Sequence, residues 1–311
     1  MDLIAIIMTM GRSAVELALF VLLPIMVVML CLMRLIEAAG VLDWLVAKLA
    51  PVLRPAGLTG LSLFAMIQVN LVSFAAPLAT LAMMDRRGAS DRHLAATLAM
   101  IFAMAQANVV YPMSAIGLHL GTTLLVSGLG GIVASAVTFH VVGRSLSSAE
   151  APLSDAIEHP EFKGPGGVLQ VINQAGAEAF KIAVATIPLV ALALVAVALL
   201  KETGAFSMIE QVLTPVLTWA GVPPTLIVPS LTKYLGGGTA VLGVMVSLHS
   251  QHLIDAHLIN ASAGWLIHTF DLPGVAILIS AGPRVAKVWK HAAIGGVIGI
   301  IVRTLIHIFI S

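Results

Sequence analysis

The chain is poor in charge. Of its 311 residues, only 10% are Asp, Glu, Lys or Arg, against 59% hydrophobic. A soluble domain carries about 25% charge, so this chain could not cover a water-facing surface. That excludes a soluble enzyme, a disordered chain and a secreted disulfide scaffold. Cysteine is almost absent: Cys31 stands alone inside an apolar run, so no intrachain disulfide can form. Neither sign of charge dominates, with 16 basic and 15 acidic residues and a formal net charge of +1. Nothing here attracts nucleic acid. No His-Glu-x-x-His, Gly-x-Ser-x-Gly or Gly-Lys-Ser/Thr phosphate loop occurs. We therefore expect no enzyme, no metal, no cofactor and no nucleotide-driven pump. The first apolar run lacks the basic start and cleavage site of a signal peptide and continues into Arg34 and Glu37. The fold class is all-α, a polytopic protein solvated by the lipid bilayer.

A repeat fills the chain. Shifted by 164 residues, Pro24 falls on Pro188 and Gly40 on Gly204. Pro51-Val52-Leu53 falls on Pro215-Val216-Leu217, and Ala56-Gly57 on Ala220-Gly221. Asp91, His93 and Leu94 fall on Asp255, His257 and Leu258, and Gly131 on Gly295. Chance apolar similarity would not keep Pro, Gly, Asp and His in one register. The only long polar segment, Ser145 to Gly167, reads as a linker outside the membrane. The expected domains are a first repeat over 1–144, the linker over 145–167, and a second repeat over 168–311.

Each repeat has five parts. A run long enough to cross about 30 Å of hydrocarbon comes first, near Ser13–Met33 and Ile182–Leu200. A short amphipathic stretch follows, Val41–Leu53 and Ala205–Trp219, too short and too charged to cross and suited to the interface. The third part is an apolar run with a weak middle, Leu58–Met84 and Thr225–Leu248. Its middles are Gln68–Ser73 and Thr232–Thr239, the latter with three consecutive glycines, Gly236, Gly237 and Gly238. Such a run does not hold a helix in lipid unaided. The fourth part is a span broken by polar residues. One break is at Gln106-Ala107-Asn108 before Pro112, the other at His268–Asp271 before Pro273. The fifth is an ordinary span, Thr122–Val142 and Ala292–Ile310.

Positive charge decides whether the third part crosses or doubles back. If it doubles back, each repeat crosses three times and the second is inverted. Arg34, Lys48, Arg54, Arg86, Arg87, Arg92, Arg144, Lys163, Lys181, Arg284, Lys287 and Lys290 then share the cytoplasmic face. Arg12 and Lys201, with Lys233 and Arg303 at most, belong outside. If it crosses, much of that bias vanishes. The expectation is six transmembrane helices, two re-entrant hairpins entering from opposite sides, two interfacial helices and both termini outside a bacterial inner membrane.

Inverted repeats with paired broken helices point to a secondary transporter. Broken helices bare amide and carbonyl groups at membrane depth, where only protein, water or a solute can satisfy them. Two hairpin tips and two breaks can therefore enclose a polar midplane chamber. Asp271 is costly at that depth. It reads either as a coupling or cation-binding group or as the cap of the half-helix restarted at Pro273. Lys233, beside Tyr234, either contacts an anionic solute or snorkels to the headgroups. Gln106 and Asn108 bond a solute or the freed backbone, and Gln68, Asn70 and Ser73 carry the same two readings. Thr239 and Thr269 flank the breaks. Gly236, Gly237 and Gly238 suit close backbone approach at the tip.

Other polar residues weigh less. His249, His252, Asp255 and His257 resemble metal ligands, but Asp255 and His257 recur as Asp91 and His93 after Ser90, which suits a helix N-cap and first turn. Glu178 and Lys181 are spaced for an interfacial ion pair. Glu16 lies inside an apolar run, where a functional role is one reading. His119, His140, His307 and Tyr111 read as structural, and the 14 Met residues as packing.

Short motifs add a resemblance. Ser73-Phe74-Ala75-Ala76-Pro77, continuing to Ala82-Met83, resembles a segment of spore-maturation membrane protein A, as does the broken run Ala99–His119 with Asn108 and Pro112. Gly237-Gly238-Thr239-Ala240-Val241-Leu242-Gly243 resembles a segment of spore-maturation membrane protein B. The chain looks like the two fused. Both belong to the nucleoside-recognition or gate superfamily, which is also similar to the core of the concentrative nucleoside transporters and to the gate of the ferrous-iron permease FeoB. The resemblance implies the order span, interfacial helix, hairpin, broken helix, span, twice over. It also implies that Ser73, Gly237–Thr239, Gln106–Asn108 and Thr269–Asp271 face a substrate. The glutamate-rich ribose-binding pattern and the iron-gate cysteine are missing, so the resemblance does not name the solute. The expected function is ion- or proton-coupled transport of a small polar or charged solute, with sodium or a proton as co-substrate, in a homo-oligomer. The alternative is a non-transporting membrane subunit or scaffold.

Overall fold

The computed structural model describes residues 3–149, 167–204 and 223–311, together with Met208, Gln211 and Pro215. Every regular element among them is helical. Helix α1 (Leu3–Glu16), a π segment (Leu17–Leu22) and α2 (Leu23–Ala38) follow without a gap. The continuous rod they form is longer than the span expected at Ser13–Met33. Gly40 in the left-handed region turns the chain into α3 (Val41–Leu53). The bend between residues 44–56 and the next helix is 105°. That helix is α4 (Gly60–Leu71), opened by a capping box in which Thr59 and Ser62 satisfy each other's amides. The turn over residues 72–76 leads back into α5 (Pro77–Arg86), started by a proline that needs no amide partner. Together α4 and α5 form the first hairpin.

The first broken helix is α6 (Asp91–Ala103) and α7 (Ala107–Ser114), and α8 (Leu120–His140) completes the set. Ser90 caps α6 through the His93 amide, as the sequence suggests. Helix α9 (Gly167–Glu202) packs along α1 and α2. The second interfacial stretch, Ala205–Trp219, lies largely outside the described residues. The second hairpin is α10 (Ile227–Gly236) and α11 (Gly238–Ser250). The second broken helix is α12 (Ala256–Leu266) and α13 (Leu272–Ile279), and α14 (Pro283–Ile310) ends the chain. Asp255 caps α12 through the Leu258 amide, so this aspartate is a cap.

Among the described residues, four helical runs are long and apolar enough to cross a membrane: 3–20, 91–114, 120–145 and 283–310. The run 91–114 is the first broken helix, and it is almost wholly enclosed by protein. Ten consecutive residues of α6, Leu94 to Ala103, are buried. Packing across the molecule is reciprocal. Helix α6 packs on α8 and α14, and α12 packs on α14 and α8. Likewise α5 meets α13 while α11 meets α7. Each hairpin thus packs on the second half of the other broken helix.

The α8–α14 crossing depends on glycine. A methyl group at Gly130 would lie 3.1 Å from the Gly299 carbonyl, and one at Gly299 would lie 2.6 Å from the Gly130 carbonyl and 2.8 Å from Ala134 Cβ. At Gly295 it would meet the Ala134 carbonyl at 2.9 Å and also the Thr138 hydroxyl. As numbering rises through 130, 134 and 138 in α8, the partner falls from 303 through 299 to 295. The two helices are therefore antiparallel, in the close contact that small residues allow inside lipid.

Candidate functional site

The chain breaks come together. In the first broken helix Ala103 ends α6, Gln106 precedes α7, and the carbonyls at the end of α6 lose their helical partners. In the second, Leu266 ends α12 and Asp271 precedes α13. Gln106 Nε2 donates to the His268 carbonyl at 2.7 Å, joining the two breaks. Thr269 Oγ1 donates to the Ile101 carbonyl. Arg303, on α14, donates through one nitrogen to the Ala103 carbonyl and, at 2.9 Å, to the Ile267 carbonyl. One guanidinium thus serves the C-terminal ends of both first half-helices, where the helix dipole favours a cation.

The second hairpin tip meets both breaks. Gly237 has φ 84° and ψ 177°, a combination open essentially only to glycine. It turns α10 into α11 in a single residue. A methyl group on it would touch Asp271 Oδ1 at 3.5 Å and Pro273 Cγ at 3.4 Å. One on Gly238 would collide with the Gln106 amide group. Asn108 Nδ2 donates to Thr239 Oγ1 at 3.2 Å. Gly238 thus permits the close approach expected of the tip, and Gly237 the turn.

Lys233 and Asp271 form an ion pair, fully buried on the lysine side and nearly so on the carboxylate side. Lys233 does not snorkel. The other Asp271 oxygen accepts the Gly274 amide at 2.7 Å, capping α13. The cap reading of Asp271 is therefore correct, and the carboxylate is in addition the lysine's counter-ion. Tyr234 stacks edge-on against Trp265, and its hydroxyl lies 3.5 Å from His268 Nε2. His268 Nδ1 accepts the Phe270 amide at 3.1 Å, so the ring is neutral with its proton on Nε2.

The first hairpin contributes Asn70, whose Oδ1 accepts the Ser127 hydroxyl at 3.0 Å. Ser127 in turn accepts the Ala105 amide at 2.8 Å. Tyr111 donates to the Asn70 carbonyl at 3.1 Å, so its hydroxyl does more than pack. Gln68 accepts from Thr80 at 2.8 Å and ties the two arms of its own hairpin. Ser73 is buried at the turn. Ser73 Oγ, Asn108 Oδ1, Thr232 Oγ1, and Nε and Nη2 of Arg303 are buried without a hydrogen-bond partner. Buried polar atoms are rarely left so.

The readings of Lys233, Arg303 and Glu16 need correction, and those of His140 and His119 as structural do not. Lys233 and Arg303 do not face the outer side, since both are fully buried. Drive toward a partner-rich interior outweighs snorkelling because each finds acceptors at the breaks. Glu16 is exposed and pairs with Arg12 at 2.9 Å, one helical turn away. His140 bonds the Pro55 carbonyl at 2.6 Å, and Asn260 ties the His119 amide at 2.8 Å. The carboxylate of Glu178 lies outside the described residues. Among the described residues no cluster of His, Cys, Asp and Glu could hold a metal. Sequence reasoning left Arg303 and Ser127 out of the site, and named His268 and Thr232 only as ends of the interrupted segments. A lone Arg in the middle of the last apolar run was the one available signal.

Residues 19–123 match the model of the Gate family, described as nucleoside recognition. Solved structures of the concentrative nucleoside transporter CNTnw match nearly the whole chain. An inward-facing, substrate-bound form is 16% identical, covers 98% of this chain and 82% of its own, and gives a TM-score of 0.67. A variant in an outward-facing state is 15% identical, covers 98% and 84%, and gives 0.68. An intermediate-state variant is 17% identical over 94% and 76%, with 0.67. Inward and outward forms match equally, so the likeness lies in the scaffold common to both. No curated protein matches the chain in sequence. The likeness is one of fold: the chain has the helical architecture of these transporter structures, and its residues 19–123 are similar to the Gate family.

Proposed function

We propose that the protein is a secondary transporter of a small polar or charged solute, driven by a sodium or proton gradient. The solute binds at the midplane between the hairpin tips around Asn70–Ser73 and Gly236–Thr239 and the breaks at Gln106–Asn108 and Thr269–Asp271. Two inverted repeats, 1–144 and 168–311, flank the cytoplasmic linker 145–167. Six spans cross a bacterial inner membrane, both termini lie outside, and the site opens alternately to each side. The assembly is a homo-oligomer.

The observation that carries this reading is the convergence of broken backbone with unpartnered buried polar atoms, Ser73 Oγ, Asn108 Oδ1 and Thr232 Oγ1. Such atoms suit a ligand that comes and goes. The reciprocal packing and the antiparallel crossing of α8 and α14 support a two-fold axis in the membrane plane. That symmetry makes the two access states near equal in energy.

The test uses the full chain in proteoliposomes, with labelled nucleosides and small carboxylates offered under imposed sodium and proton gradients. Gradient-driven flux that falls at least tenfold in Asp271→Asn and Lys233→Ala is expected. Flux unchanged in both variants would remove these residues from the site. A tightly co-purifying partner without flux of any probe would favour the scaffold reading.

A further inference from the structure

The ionic inventory of the site is unequal. Among the described residues the buried side chains that carry full charge are Lys233, Arg303 and Asp271. His268 is neutral by its hydrogen bond from Phe270, and His307, one turn beyond Arg303, is buried with Nε2 unpartnered. Asp85 and Asp91 lie elsewhere and engage Arg284, with Asp91 accepting at 2.7 Å. Two cations therefore face one carboxylate. Helix dipoles do not restore the balance. Each break presents one C-terminal and one N-terminal end, which contribute opposite partial charges of similar size, and the second hairpin tip does the same.

The geometry concentrates this excess. The segment Ile267–Asp271 is held at one end by Arg303, on the Ile267 carbonyl, and at the other by Lys233, on the Asp271 carboxylate. Arg303 uses one nitrogen for both of its carbonyls. Its Nε and Nη2 are buried with donors unspent. Thr232 Oγ1, beside Lys233 in sequence, is likewise unpartnered. Guanidinium nitrogens can only donate, so the group that completes them is an acceptor. The carbonyls at two helix ends ease the burial of Arg303 but bring no counter-ion, and an anion supplies one while using the spare donors.

We propose that the midplane site takes a small anion, a carboxylate or phosphate group of the solute, with Arg303 and Lys233 supplying the charge and Asp271 setting its strength. This rests on the transporter reading but narrows it to a charge class. It also assigns Asp271 an unexpected role. The carboxylate does not attract a cation; it moderates anion affinity so that the solute can leave.

The experiment reads binding rather than flux, so its failure and the failure of the transport reading are separable. Full-length protein in detergent is titrated with inorganic phosphate and, separately, with succinate at constant ionic strength, and the saturable rise in Tm is followed. Asp271→Asn keeps the oxygen that caps α13 but removes one negative charge. It is expected to tighten binding of at least one probe about tenfold or more, the order of one unit charge about 10 Å away at an effective dielectric of about 20. Lys233→Gln removes one positive charge and is expected to weaken that binding about tenfold. Arg303→Lys, which keeps the charge without the fork, is expected to retain weaker binding if Arg303→Met fails to fold. Opposite signs for Asp271→Asn and Lys233→Gln are what a merely structural pair would not produce. Absence of saturable binding by both probes, or loss of binding in Asp271→Asn, would overturn the proposal.

Discussion

Gln106 reaches from the first broken helix to the carbonyl of His268 in the second, at 2.7 Å. The two positions are 162 residues apart, and the bond joins the interruptions of the two broken helices. It satisfies a carbonyl released where α12 ends. The same amide group fills the space that a side chain on Gly238 would need. One residue therefore links both breaks and the second tip. Gln106→Ala should leave the His268 carbonyl unpaired and cost about 1–3 kcal/mol. Thermal unfolding of the purified protein in detergent measures it, with Gln170→Ala, on an exposed helix face, as the neutral control.

Gly237 should resist any substitution. Its backbone angles cost an L-residue about 1–3 kcal/mol. Gly237→Ala is expected to fold with a lowered Tm from backbone strain alone, since the methyl group makes only ordinary contacts with Asp271 and Pro273. The same change at Gly128, which has open space around it, should leave Tm within a degree or two. Equal effects at both positions would mean that the tip does not need its conformation.

The Lys233–Asp271 pair should behave asymmetrically on deletion. Asp271→Ala removes the cap and strands a buried ammonium, a loss of about 3–5 kcal/mol. Asp271→Asn retains a capping oxygen and should cost clearly less. The double change Lys233→Met with Asp271→Asn should recover stability relative to Asp271→Ala, because no charge is left unpaired. A double-mutant cycle in thermal unfolding reads the coupling.

The α8–α14 crossing should fail when its glycines grow. Gly130→Leu and Gly299→Leu each place bulk against facing backbone and should abolish stable extraction as a single sharp peak in size-exclusion chromatography. Gly121→Leu, with open space around it, should be tolerated. If all three extract alike, the close crossing is absent.

The all-helical class, the hairpins and the breaks were legible because lipid leaves few choices. A membrane segment holding Gly236, Gly237 and Gly238, or Asp271 followed by Pro273, has only local explanations, and local rules of capping and helix breaking suffice. Asp91, Asp255 and Asp271 illustrate this, since each stands at a helix start that its sequence neighbours announce. Arg303 was illegible for the opposite reason. Its partners, the Ala103 and Ile267 carbonyls, are distant in sequence and carry no side-chain signature. A lone basic residue within an apolar run resembles a water-facing charge until the fold puts helix ends beside it. Ser127 was hidden likewise, as one hydroxyl in a glycine-rich span whose partners are Asn70 and a backbone amide. Charge counting was misled by Lys233 and Arg303, both fully buried, because it assumes that cations in membrane proteins face water.

The central claim is that the repeats are inverted, so that the two hairpins enter from opposite faces. In a Cys31→Ser background, single cysteines at Arg86 and Ser250, at the ends of the second arms of the two hairpins, are exposed to a membrane-impermeant thiol reagent in intact cells and in inverted vesicles. Labelling of Arg86→Cys only in inverted vesicles and of Ser250→Cys only in intact cells is predicted. Labelling of both from the same side would contradict the account.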